Sequence, residues 1–239
     1  MVTPRRGLFW GLGLSESSQG FGLPSTTELE ARLEKVRERI AAAGVAKSVR
    51  LICVTKGFPL EMVIKMKELG VYDFGENYQQ ELSSKAVDEV QVRWHFIGGI
   101  QRSKLKKITE VAYAIHSVSR MSELHDLANL DYRGEVFLQL RSDDVAGRNG
   151  FERSELESAV KLCKELHINL VGLMGVASLT SGHRAPEFFR LLRDLSDGFG
   201  LKRCSMGMSD DFELALEYGA TDLRLGRVLL GPRPNPKAA

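Results

Sequence analysis

The fold class this sequence predicts is a single (β/α)8 barrel of the TIM type with an extra N-terminal helix. Three observations carry that reading. Eight short apolar runs alternate with amphipathic stretches, the connections between them are short, and the chain has 239 residues, close to the roughly 250 of one such barrel. Strands covered on both faces read as near-continuous apolar runs, and eight successive βα units favour a closed parallel sheet. An open doubly wound sheet shares this alternation, and periodicity alone does not separate the two.

The elements follow in order. Ser25-Thr26-Thr27 offers a helix cap, Leu29, Leu33, Val36 and Ile40 recur at helical spacing, and Gly44 ends the run. Strands are expected at 51–55, 71–74, 92–97, 112–118, 135–140, 170–176, 203–206 and 223–225. Helices are expected at 60–69, 77–90, 103–110, 121–130, 153–167, 185–197 and 210–218, with a short closing stretch at 227–230. The expected organisation is a flexible extension over 1–25, the barrel over 26–233 and a short tail over 234–239.

Composition narrows the function classes. The chain is 43% hydrophobic and 27% charged, which supplies a core and argues against disorder. A net charge of +2 with no basic stripe argues against a nucleic-acid partner. Cys53, Cys163 and Cys204 are far apart, so a reducing cytoplasm is expected rather than a disulfide framework or zinc site. No apolar run is long enough to span a bilayer, so no membrane partner is expected. Arg5-Arg6 ahead of Leu8, Phe9 and Trp10 is too short and Gly-broken an apolar stretch for an export signal.

In such barrels the chemistry sits where the strands end. Loops after strands 7 and 8 commonly hold phosphate, because helix starts offer unpaired N–H groups and positive potential. Here they read Ser205-Met206-Gly207-Met208-Ser209 and Arg224-Leu225-Gly226-Arg227. Ser209 either caps its own helix or turns its hydroxyl to an anion, and Gly207 permits close backbone approach. Lys56 directly follows strand 1 and faces either the barrel mouth or solvent. A desolvated lysine has a lowered pKa, so more of it is the free amine that attacks an aldehyde. A phosphate anchor facing such a lysine is the arrangement pyridoxal 5′-phosphate requires. His95, among apolar neighbours on strand 3, lines the barrel under a flat ring or is a satisfied core histidine; His116 reads similarly. Glu76 and Asp73 read as an acid/base pair or, more simply, as barrel-end ion pairing. His183, with His125 and His167, suggests no chemistry.

Seven segments carry a resemblance: 51–58 (LICVTKGF), 72–81 (YDFGENYQQE), 94–104 (WHFIGGIQRSK), 115–118 (IHSV), 172–174 (GLM), 205–211 (SMGMSDD) and 224–231 (RLGRVLLG). In order and spanning about 27–233, they resemble the pyridoxal-phosphate homeostasis proteins. These are single-domain barrels similar to the N-terminal domain of bacterial alanine racemase. The resemblance implies a Schiff base between Lys56 and pyridoxal 5′-phosphate. It implies phosphate binding by Ser205, Ser209, the backbone of Gly226 and Arg227. It places Arg224 near the pyridine nitrogen or the phosphate, Asn77 beside the cofactor and Met206 packed near it. An arginine facing that nitrogen keeps it unprotonated and makes the ring a poorer electron sink. The sequence departs from the family pattern at Gly99, usually histidine, at Ser103, often asparagine, and at Arg227, often a small hydroxyl residue.

Two functions compete. One is a carrier that buffers the cofactor and hands it to pyridoxal-phosphate-dependent apoenzymes. The other is a racemase-like enzyme acting on amino acids, with Lys56 as one base. Related racemases bring a second base, a tyrosine, from a β-domain and a partner subunit. The chain ends eight residues after Gly231, so no such domain is expected, and general-base help is worth roughly 10²–10⁴-fold. The expectation is therefore a carrier without established turnover, and a monomer.

Overall fold

The Ser25 hydroxyl accepts from the Glu28 N–H at 3.2 Å, and the Glu28 carboxylate accepts from the Ser25 N–H at 2.8 Å. This reciprocal box satisfies two orphan donors and starts α1 (Thr26–Ala42). The helix stops at Gly44, whose φ of 73° only glycine adopts freely. Its buried stripe is Leu29, Leu33, Val36 and Ile40. The computed structural model describes residues 22–44, 49–142, 149–177 and 185–234. The extension through residue 21, the tail from 235, Ser178 and His183 lie outside the described residues.

Eight parallel strands follow, each trailed by a helix. They are β1 (Arg50–Val54), α2 (Leu60–Glu68), β2 (Asp73–Glu76), α3 (Gln79–Lys85), β3 (Arg93–Phe96), α4 (Arg102–Thr109), β4 (Ala114–Val118) and α5 (Met121–Asn129). Then come β5 (Glu135–Gln139), a 3₁₀ turn (Arg153–Glu155) running into α6 (Leu156–Glu165), β6 (Leu170–Met174), α7 (Ala185–Gly198), β7 (Arg203–Ser205), α8 (Phe212–Glu217), β8 (Asp222–Leu225) and α9 (Arg227–Leu230). Each strand pairs with the next, and β8 returns to β1 with Ile52 opposite Arg224. The barrel is closed, which decides against the open sheet. α1 lies outside it, packed on α2, α8 and α9.

Two expected elements moved. Strand 2 is Asp73–Glu76, two residues later than the apolar run suggested. Its carboxylates are buried because each has a cationic partner, Arg93 for Asp73 and Lys85 for Glu76, so polarity hid a strand. The helix expected over 77–90 stops at Lys85. Val90 still reaches the core, through a turn closed by its N–H on the Val87 carbonyl at 2.9 Å.

Strand residues alternate between two cores. Outward-facing Cys53, Phe74, Trp94, Ile115, Leu138, Leu173 and Leu223 meet the helices. The barrel interior is layered. At the end where the strands begin, Arg50 pairs with Glu135 and Asp222, Arg203 with Asp222, and Arg93 with Asp73. Above lie His95, His116, Phe137 and Ser205, all fully or nearly fully buried. Arg224, Met174 and Val54 form the upper layer, under the mouth.

Candidate cofactor site

A cavity of about 650 Å³ opens at the C-terminal ends of the strands, within the 300–1,000 Å³ range of small-molecule sites. Strand parity builds it. Val54 ends β1 and Lys56 follows it two residues on, Asn77 follows β2, Met174 ends β6 with Val176 two residues beyond, and Arg224 lies on β8 with Gly226 just past its end. Phe58, Met208, Ser209, Asp210, Arg227 and Arg233 complete the rim. Among the described residues, four cations, Lys56, Arg224, Arg227 and Arg233, thus face one carboxylate, Asp210, which pairs with Arg227. The charge balance suits an anion.

Lys56 is half-buried. Burial depresses its pKa, and nearby Arg233 depresses it further, against the opposing pull of Glu76 and Glu81. Both depressing effects favour the free amine. Its loop is pinned from behind. Lys85 Nζ donates to the Thr55 carbonyl at 2.9 Å, Thr55 Oγ1 donates to Glu76 at 2.7 Å, and the Gly57 N–H donates to Glu81 at 2.8 Å. Gly57 has a φ of 75°, and Arg233 lies 3.1 Å from where a Cβ would stand.

The opposite wall is α9. A helix start leaves N–H groups without intrahelical partners. Here the Val228 N–H donates to Ser209 Oγ at 3.2 Å, and Gly226 and Arg227 line the cavity just before it. Ser209 therefore does not cap its own helix. α8 begins at Phe212 behind Asp211, and Asp211 Oδ1 accepts from the Met208 N–H at 2.6 Å. Gly207 takes a φ of 90°, and a Cβ there would strike Ala215 at 2.8 Å. The close approach it permits is to the protein's own α8.

Arg224 is 5% exposed. Its Nη1 donates to Ser205 Oγ at 2.6 Å and its Nη2 to the Gly175 carbonyl at 2.8 Å. Burial lowers its pKa to about 10, opposed by Asp211 and Asp222, so it stays charged at neutral pH. Asn77 Oδ1 is buried with no hydrogen-bond partner. A buried orphan of that kind costs roughly 1–3 kcal/mol and marks a place for a ligand donor.

Of the nine residues expected at the site, Lys56, Asn77, Ser209, Arg224, Gly226 and Arg227 line this cavity. Three do not. Ser205 lies beneath Arg224, fully buried. Met206 faces outward into the helix-side core. His95 sits a layer below, bonded to Asp73 and His116 at 2.9 Å each. Sequence reasoning missed Met208, Asp210 and Arg233. The first two sit inside the loop already singled out, whereas Arg233 follows the last helix with no local signal.

The family model described as alanine racemase, N-terminal domain, matches residues 25–234. The chain belongs to that family. Among its curated relatives, the pyridoxal phosphate homeostasis protein of Pseudomonas aeruginosa is 36% identical over 210 residues, covering 83% of this chain and 91% of the relative. Its counterpart in Schizosaccharomyces pombe is 32% identical over 226 residues, covering 86% and 93%. The chain is thus a member of the pyridoxal phosphate homeostasis group within the family. The structure of PipY from Synechococcus elongatus with pyridoxal phosphate bound superimposes with a TM-score of 0.72 at 28% identity, covering 85% of this chain and all of that one. Alanine racemase from Corynebacterium glutamicum shares the fold, with a TM-score of 0.69 at 14% identity, over 88% of this chain and 62% of that one.

Proposed function

We propose that this protein binds pyridoxal 5′-phosphate reversibly in the cavity and serves its homeostasis, holding the aldehyde on Lys56 and releasing it to apoenzymes. The observation that carries the proposal is a half-buried lysine with depressed pKa facing the α9 start and a buried guanidinium. PipY, a relative with this fold, was solved with pyridoxal phosphate bound.

The residues present fit the group. Lys56 supplies the amine for the aldehyde. Ser209, the backbone at Gly226 and Arg227, and the cationic rim receive the phosphate. Arg224 offers its remaining N–H groups to the ring, and the orphaned Asn77 amide takes a polar substituent beside it. Phe58, Met174 and Ile97 supply apolar surface for the ring. When bound, the cofactor supplies a carbonyl that condenses reversibly with amines and a ring that withdraws electrons from the attached carbon. Arg224, as a charged donor, disfavours protonation of a ring nitrogen facing it and so weakens that withdrawal.

Carriage is favoured over turnover by the make-up of the lining. Among the described residues, the lining's titratable side chains besides Lys56 and three arginines come down to Asp210, already paired with Arg227. Exchange at a substrate carbon needs a base on each face. We assign the protein to the cytoplasm, where its three buried thiols, Cys53, Cys163 and Cys204, would stay reduced, and we assign it a monomeric state. No helix among the described residues is long and apolar enough to cross a membrane.

Purified protein should be yellow, and borohydride should fix one cofactor mass to the chain. Lys56→Ala should abolish the fixed adduct. A wild-type protein that stays colourless when cofactor is added rejects the proposal. Incubation of the loaded protein with L-alanine should leave its chirality intact, and racemisation at about 1 s⁻¹ or faster would replace the carrier with an enzyme.

A further inference from the structure

A hydrogen-bonded wire crosses the barrel interior from the floor of the cavity to the far end. Arg224 Nη1 lies 2.6 Å from Ser205 Oγ, and Ser205 Oγ lies 2.8 Å from His116 Nδ1. His116 Nε2 lies 2.9 Å from His95 Nδ1, and His95 Nε2 lies 2.9 Å from Asp73 Oδ1. Asp73 is gripped by Arg93 through two bonds of 2.7 and 2.6 Å. His116 is held flat against Phe137, with ring centroids 4.1 Å apart and planes 13° apart. His95, His116 and Ser205 are fully buried and none lines the cavity.

The two ends dictate the direction of every link. A guanidinium only donates and a carboxylate only accepts. With both imidazoles neutral, one proton arrangement satisfies all four bonds. Arg224 donates to Ser205, Ser205 to His116 Nδ1, His116 Nε2–H to His95 Nδ1, and His95 Nε2–H to Asp73. One extra proton on the histidine pair would reverse the link between Ser205 and His116, and with His95 as the charged ring the link between the histidines too, and would release the serine proton. The Ser205 hydroxyl is therefore spent inside the barrel. It is a prop for Arg224 and has no proton to give a phosphate.

We propose that His116, His95 and Ser205 are positioning residues, a one-directional wire that locks Arg224 as a donor toward the cofactor. The proposal rests on the cofactor-binding reading above and adds three residues that act from below the cavity. Burial disfavours charge on both imidazoles, in keeping with the neutral arrangement.

Two measurements on the full chain test it. Long-range ¹H–¹⁵N correlation of the histidine side chains should show both His95 and His116 neutral at pH 7, protonated on Nε2. A charged ring, or an Nδ1–H tautomer at either position, overturns the wire. The second measurement is the rate of cofactor loss from the loaded protein. His116→Phe keeps the stack on Phe137 but strips Ser205 of its acceptor, and should release cofactor about tenfold faster, as expected for one buried hydrogen bond broken. His116→Asn keeps an acceptor near the Nδ1 position and should restore most of the retention. If Phe has no effect, or Asn is as damaging as Phe, the wire does not position Arg224. Should Phe fail to fold, Ser205→Ala breaks the same link and takes its place. A wild type that takes up no cofactor fails the carrier reading instead, and the tautomers then judge the wire by themselves.

Discussion

Replacing Lys85 with methionine should cost about 3–5 kcal/mol of stability, the usual penalty for removing one partner of a buried ion pair. Lys85 is 5% exposed and Glu76 0%. The lysine donates to Glu76 Oε1 at 2.7 Å, to Glu81 Oε2 at 2.8 Å and to the Thr55 carbonyl at 2.9 Å. Burial pushes the Glu76 carboxyl up, while Lys85 and the Thr55 hydroxyl pull it down. Glu76 Oε2 already lacks a partner, so without the amine the carboxylate must take a proton or unfold its surroundings. The cluster is also a mount. Its bonds fasten Thr55 and Gly57, the two neighbours of Lys56, so the variant should lose cofactor faster as well. The check is urea denaturation with unchanged m-value. A double variant with Glu76→Gln should lose much less than the sum of the single losses, because the stranded charge is gone. A Lys85→Met loss below about 1 kcal/mol, the level of an exposed pair, would show that water reaches the cluster.

That lysine also shows where sequence reading stops. On the chain it is the second member of an i,i+4 pair with Glu81, which reads as a solvated helix face. Its burial depends on Thr55 and Glu76, contributed by two strands, and no local pattern reports that. The eight strands were legible because apolar runs and period-two alternation are local properties. β2 was misplaced where buried Asp73 and Glu76 interrupt the apolar run. Lys56 and Gly226 were legible because each follows a strand at the mouth, whereas Asn77 and Arg224 were legible only through the family resemblance. Parity also separates Ser205 from Met206. Ser205 points inward but one layer too deep, and the next residue points outward into the helix-side core. Depth within a barrel depends on strand stagger, which a one-dimensional pattern does not contain. Likewise His95 read equally well as a ring-facing residue or a satisfied core histidine, and its bonds to Asp73 and His116 decide for the second.

Those same histidines should make the protein acid-sensitive well above the range where carboxylates titrate. Burial is the main cause depressing both, and more strongly in His116. The charged groups facing them come from all sides: Arg50 on β1, Asp73 on β2, Arg203 on β7, Asp222 and Arg224 on β8. Asp73 alone bonds an imidazole directly among these, and the arginines oppose a second positive charge. Above about pH 6.5, the ordinary imidazole value, neither folded nor unfolded chain protonates these rings and they contribute no pH dependence. Below it the unfolded chain binds protons that the native state refuses, so stability falls as pH falls. Each refused proton is worth about 1.4 kcal/mol per pH unit, so the pair gives a limiting slope near 2.7 kcal/mol per unit. Asp73, held well below the usual carboxylate range by Arg93 and His95 despite its burial, adds a second loss beginning near its unfolded value of about 3.9. The raised Glu76 carboxyl works the other way, taking up a proton in the native state first and softening the fall. Total stabilities of about 5–15 kcal/mol leave little room for such a slope. Denaturation at about pH 7.5, 6.5 and 5.5, bracketing the imidazole value, should therefore show a clear decline across the last step. His116→Phe removes the more strongly refused proton and should flatten that decline by at least half, even though it is the less stable protein at neutral pH. A wild-type stability that is level across this interval would mean that the wire accepts its proton without resistance, and that water or a reoriented Ser205 already serves the buried pair.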